Sequence, residues 1–139
     1  MGAADDGQVG VGEQPLGVKT PSDMSAAFAD RLNAGDLEGL VGLLAPDAVS
    51  RTPQGEILTD PTKIRADLAG LISRQSHLVN NYRHTLISGD VALMIIDWTL
   101  EFDAPDGRAR MAGTTANVVR RGEQGDWRVI VLNPTGTAA

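Results

Sequence analysis

Cysteine is missing altogether from the 139 residues. Its absence excludes disulfide scaffolds, thiolate zinc sites and cysteine nucleophiles, and with them the usual reason to assign an oxidising compartment, so the cytoplasm is the expected location. Positive charge is in deficit as well. Twelve Lys and Arg against 18 Asp and Glu give a net charge of −6 and a pI near 4.7. A chain with that field repels phosphate backbones and anionic lipid. No basic stripe offsets it, so neither nucleic acid nor a membrane surface is an expected partner. No apolar run approaches the ~20 residues that a bilayer-crossing helix requires. Aromatic residues amount to 4%, so each ring marks core or pocket. Repeats, heptads and low-complexity blocks are absent too.

What is present is the balance of one globular domain, 42% hydrophobic and 22% charged. A core of this size can bury ~65–70% of the surface exposed by the unfolded chain without a covalent staple. Residues 1–19 are rich in Gly, Asp and Gln. Val9, Val11 and Leu16 are too scattered there to form a buried face or the apolar stretch of a secretory signal. They are read as a disordered leader, and residues 20–139 as the domain.

Thr20-Pro21-Ser22-Asp23 has the chemistry of a helix start: a capping hydroxyl, a proline where its missing N–H is harmless, and an acid at the positive end. Met24, Ala27, Phe28, Arg31 and Leu32 then recur at helical spacing, and Gly35 supplies a left-handed stop. Asp36 caps a second helix with Leu37, Leu40, Val41 and Leu44 on its buried face, ended by Ala45-Pro46. Asp60-Pro61 opens a third, with Ile64, Leu68, Leu71 and Ile72 inward. Beyond Ser76 the pattern turns to β. Strands are expected over 78–87, 91–102, 108–121 and 127–133, with turns at Ser88-Gly89-Asp90, Ala104–Gly107 and 122–126, and a short strand around Val49. Three helices followed by an antiparallel meander make an α+β fold in which the helices cover one face of a curved sheet.

The segment Leu32-Asn33-Ala34-Gly35-Asp36-Leu37-Glu38-Gly39-Leu40-Val41, with Asp47-Ala48-Val49 beyond it, resembles the NTF2-like superfamily, in particular its ketosteroid-isomerase and SnoaL-like branches. Trp127-Arg128-Val129 fits the family's terminal strand, and the resemblance runs from about Met24 to Gly136. The ending Arg120-Arg121, Trp127 and Asn133-Pro134-x-Gly136 is similar to small bacterial SnoaL-like proteins, some of whose relatives belong to polyketide and enediyne antibiotic pathways. The resemblance implies a cystatin-like cone, with the sheet wrapped around the three helices and an apolar cavity open at one end. In the isomerases a Tyr, a protonated Asp and an Asp base handle the proton. Matched residue by residue, Phe28 stands at the Tyr position, Thr52 at the base position, and Ala116 at or near the second Asp. None of these groups can do the work, so isomerase activity is rejected.

On the strand around Trp98, the same resemblance places Met94, Ile96, Trp98, Leu100 and Phe102 inside, with Trp98 and Leu100 toward the mouth. The next strand is then expected to turn Ala112, Thr114 and Ala116 inward, and the last strand Val129, Val131 and Asn133. Asn133 either orients a ligand or bonds the turn at Pro134. Of the neighbours Arg83 and His84 only one can face the cavity. The isomerase match favours Arg83, with Glu56 as one carboxylate that could pair with it. His77 and His84, without an organised acid motif, do not make a metal site.

The candidate ligand-binding set is therefore Phe28, Thr52, Arg83, Trp98, Leu100, Thr114 and Asn133, with no metal and no organic cofactor. It points to a protein that binds a small apolar, polyketide-like or ring-containing metabolite. The alternatives are a cofactor-independent cyclase, dehydratase or epoxide hydrolase using Arg83 or His84 with Asn133, and a protein-interaction module. A homodimer is expected through an outer sheet face carrying Ile95, Asp97, Thr99 and Glu101, with Met111, Gly113, Thr115, Asn117 and Val119 beside them.

Overall fold

A computed structural model describes residues 17–138. The first sixteen residues of the expected leader lie outside the described residues. Val18 and Lys19 are described, and they belong to the packed structure: Val18 is buried, its carbonyl accepts from the N–H of Trp127 at 2.8 Å, and Lys19 pairs with Asp126.

A single 3-10 turn at Pro21–Asp23 leads into α1 (Met24–Asn33), followed by α2 (Leu37–Val41) and, after the first two strands, α3 (Pro61–Ser73). Gly35 at φ 71° closes α1, and the Asp36 carboxylate accepts from the N–H of Gly39 at 2.9 Å to start α2. Asp60 caps α3 in the same way through the N–H of Thr62 at 2.9 Å. The second helix is shorter than its apolar spacing suggests. Leu44, Ala45 and Pro46 open a strand instead, because proline excludes a helical residue before it but is tolerated in extended chain.

The strands are β1 (Leu44–Arg51), β2 (Ile57–Leu58), β3 (His77–Ser88), β4 (Val91–Ala104), β5 (Gly107–Arg121) and β6 (Trp127–Leu132), in the order β2-β1-β6-β5-β4-β3. The expected antiparallel meander is β3 to β6. β1 joins it parallel to β6, so the sheet is mixed and remains open. Helices cover its inner face. α1 is tied to the edge strand β3 at two points. The Asn33 side chain donates to the carbonyl of Leu78 at 2.8 Å and accepts from its N–H at 2.7 Å, as a neighbouring strand would, while Asn80 Nδ2 donates to the carbonyl of Ser25 at 2.9 Å. The core lies between: Leu32, Leu40, Leu68, Met94, Val119 and Val129 are all buried.

Three irregularities decide which side chains reach that interior. A bulge in β3 breaks the register between Tyr82 and His84. A second separates Val118 and Val119 on β5 and leaves Ile130 as the extra residue of β6, so Val129 and Leu132 both point inward whereas Val131 lies opposite Val118 on the outer side. The third is the β4–β5 turn, in which Ala104 pairs directly with Gly107. That pairing sets Trp98 against Gly113 and Ile96 against Thr115. Residues facing one another across an antiparallel pair share a face. The expected inward row Ala112, Thr114, Ala116 is therefore the outer row, and Met111, Gly113, Thr115, Asn117 and Val119, expected outside, are inside.

Candidate functional site

Between the inner sheet face and the helices α1 and α3 lies a cavity of about 410 Å³, within the ~300–1,000 Å³ typical of small-molecule sites. Phe28 and Leu32 come from α1, Leu68 and Leu71 from α3, and Ile96, Trp98, Leu100, Phe102, Met111 and Leu132 from the sheet. The α1 and α3 contributions follow from the helical stripes that the sequence displays; the β4 row follows from strand alternation.

Most polar groups on the sheet wall are occupied by the protein itself; the Ser50 hydroxyl on β1 is the exception among the described residues. The Trp98 indole N–H donates to the carbonyl of Pro134 at 2.7 Å, and the Thr115 hydroxyl donates to the same oxygen at 3.3 Å. Asn117 Oδ1 accepts from the backbone N–H of Asn133 at 2.7 Å. Trp98 can lie against β5 because position 113 is glycine: a Cβ there would sit 2.8 Å from Cζ2 of the indole, closer than any methyl group approaches a ring.

The α3 wall differs. Asp67 lies within the stripe formed by Ile64, Leu68 and Leu71, and lines the cavity half-buried. Among the described residues no hydrogen bond or ion pair engages its carboxylate. Burial pushes its pKa upward, opposed by the positive charge of Arg74 and reinforced by the negative charge of Glu56. Arg74, the C-cap residue just past α3, is about two helical turns beyond Asp67, with its guanidinium carbon 5.9 Å from the Phe102 ring centroid. Asp103 at the rim is already held by Arg108 at 2.9 Å. Arg51 reaches the rim from β1 and grips the C-terminal turn through Asn133 Oδ1 at 3.2 Å, Thr135 Oγ1 at 2.9 Å, and the carbonyls of Gly136 and Ala138.

Of the candidate residues, Phe28, Trp98 and Leu100 line the cavity. The other four do not. Thr52 is buried in the β1–β2 hairpin, where its hydroxyl accepts from the N–H of Glu56 at 3.1 Å. Arg83 sits in the β3 bulge and turns outward to Asp97, with Nε 3.5 Å from the carboxylate, not to Glu56. His84, opposite Ile95, is on the outer side as well, so neither of the two neighbours lines the cavity. Thr114 donates to Asp97 at 2.7 Å on the outer face. Asn133 spends its amide on the turn, donating to the Gly136 carbonyl at 2.9 Å. Asp67 was absent from the sequence-derived set, although the signal was there: an acid three residues after Ile64 and four before Leu71 falls inside the apolar stripe. Among the described residues no cluster of three or more His, Asp or Glu is arranged to hold a metal ion, and no helix is long and apolar enough to cross a membrane.

Comparison with known proteins agrees with this architecture. No curated protein matches the chain. Among solved structures, a protein of Xanthomonas campestris provisionally named a calcium/calmodulin-dependent protein kinase II association domain superposes with a TM-score of 0.72 at 18% identity, covering 91% of this chain and 98% of its own. An NTF2-like family protein of Streptomyces avermitilis, provisionally named a dehydratase, gives 0.70 at 16% identity, over 85% of this chain and 94% of its own. An NTF2-like protein with a cystatin-like fold from Novosphingobium aromaticivorans gives 0.68 at 14%, over 84% of this chain and 79% of its own. At these identities the likeness is one of fold. The SnoaL-like domain profile matches residues 25–130, from α1 into β6, and the chain belongs to the SnoaL-like domain family, with the fold that these NTF2-like neighbours share.

Proposed function

We propose that the chain binds a small, apolar, ring-containing molecule in the cavity between the sheet and helices α1 and α3. The observation that carries this reading is the wall built by Phe28, Leu32, Ile96, Trp98, Leu100 and Met111, which leaves apolar surface facing an unfilled volume of about 410 Å³. Burying such surface against a ligand is worth roughly 25 cal/mol per Å². A polyketide-like metabolite has the required size and character, in keeping with the antibiotic-pathway proteins that the sequence resembles. The test is a thermal-shift screen with ring-containing metabolites. A ligand at about a hundred times its dissociation constant stabilises the fold by roughly 2.7 kcal/mol. Met111→Glu, which sets a carboxylate into the apolar wall, abolishes that shift. Flat responses across the screen, or equal shifts in the variant, overturn the reading.

A second reading is a cofactor-independent dehydratase. It is favoured by the name of the Streptomyces neighbour and by an unengaged acid, Asp67, in the cavity. Arg83, His84 and Asn133 have no part in it, since none of them lines the cavity. The expected homodimer is likewise proposed, now through Leu93, Ile95, Ala116 and Val118 on the outer sheet face with exposed Leu86 beside them. Light scattering that gives a monomer mass at every concentration refutes it.

A further inference from the structure

We propose that Asp67 is the polar anchor of the cavity and accepts a hydrogen bond from a hydroxyl group on the bound ring-containing molecule. This rests on the cavity being a ligand site, and it narrows the ligand class to ring-bearing alcohols.

The polar groups around the cavity meet different fates, and of those without a partner, Ser50, Gln54 and Asp67, only Asp67 carries a charge. Trp98, Thr115 and Asn117 are bonded to backbone, Asn80 holds α1, Asp103 pairs with Arg108, and Arg51 grips the C-terminal turn. Asp67 alone among the lining acids has no hydrogen-bond or ion-pair partner among the described residues. A partly desolvated carboxylate without a donor costs free energy in the empty protein, and a ligand that supplies the donor removes that cost. Its position suits the role. Asp67 is on the helix opposite the apolar sheet wall, so rings packed on Trp98 and Leu100 present a substituent toward α3.

The charge balance selects a neutral donor over a cation. Glu56 offsets only part of the positive potential that Arg74, the stronger of the two charges acting on the Asp67 carboxylate, places there. An ammonium group brought to the same carboxylate meets that like charge, whereas a hydroxyl does not.

Three probes of matched shape separate the possibilities: naphthylmethanol, ethylnaphthalene and naphthylmethylamine, titrated calorimetrically into the full chain at neutral pH. The alcohol binds roughly tenfold more tightly than the hydrocarbon, the lower end expected for a hydrogen bond to a charged acceptor. Asp67→Leu, which extends the existing apolar stripe, erases that preference while retaining or strengthening hydrocarbon binding. Should that variant fail to melt cooperatively, Asp67→Asn serves: its uncharged oxygen is a weaker acceptor, so the preference shrinks several-fold. An alcohol preference unchanged in a folded variant overturns the assignment, as does an amine that outcompetes the alcohol. Hydrocarbon binding with no alcohol preference in the wild type leaves the cavity reading standing and removes Asp67 from it. If none of the three binds, both readings fall.

Discussion

The two walls of the cavity are built on opposite principles. On the sheet wall most polar groups are locked to the protein: one carbonyl, that of Pro134, receives both the Trp98 indole and the Thr115 hydroxyl, and only the small Ser50 hydroxyl is left without a partner on an otherwise apolar strand surface. On the α3 wall a carboxylate stands in an apolar stripe with only the through-space pull of Arg74 to offset its burial. The contrast separates structure from recognition. Groups that hold the fold are satisfied internally, and the group that is not satisfied is available to something else.

The most damaging way to break this contrast is Trp98→Ala. It removes a buried ring and leaves the Pro134 carbonyl with the Thr115 hydroxyl alone, so it costs about 3–5 kcal/mol in urea unfolding and weakens binding of any ring-containing ligand. Gly113→Ala is next. Its methyl group meets the rigid edge of the indole, and an overpacked site of this kind loses about 1–3 kcal/mol; tryptophan fluorescence should shift as the ring is displaced. Asp67→Asn sharpens the contrast from the other side, with the smallest effect and the opposite sign. A carboxyl whose pKa is raised in the folded state above its ordinary 3.8 stabilises the fold when protonated, and that contribution is lost as pH rises through the folded value. The Asn variant therefore melts slightly higher than wild type at neutral pH. The difference fades as pH falls through the folded value toward 3.8, with Arg74 and Glu56, the two charges acting on Asp67, still in place. A wild type as stable as the variant at neutral pH would show that burial does not tax this carboxylate.

Much of the fold could be read from the residues, and the errors have a common origin. Helix caps at Asp36 and Asp60 and the strand lengths were visible because capping chemistry and alternation are local. The inner row of β4 was legible for the same reason. The expected inward row of β5 differs from the observed one by a single residue, and a one-residue slip turns every side chain to the other face. The remedy lay in the sequence: Pro105-Asp106 as a two-residue turn sets Ala104 opposite Gly107, which fixes the parity of the whole strand without reference to any other protein. The bulges at Arg83 and Ile130 are different. Nothing in the residue types there marks an extra residue, because the bulge answers to the curvature of the sheet around its helices. Without that information, alternation alone points Asn133 inward and leaves the orientation of Arg83 open. Asp67 is hard to read from sequence because Ile64, Leu68 and Leu71 already account for the buried stripe of α3, and an acid between them looks like the solvent side of the helix.

The Asn33 amide has one more consequence. β3 ends the sheet, and an exposed edge invites a strand from another molecule to add to it. At Leu78 the donor and acceptor that such a strand would need are both taken by Asn33, and further along the break in register at Arg83 spoils the spacing for any regular neighbour. One side chain on the first helix thus acts as a stopper against fibrous growth. Asn33→Ala should reveal it as aggregation on prolonged incubation of a protein that still folds.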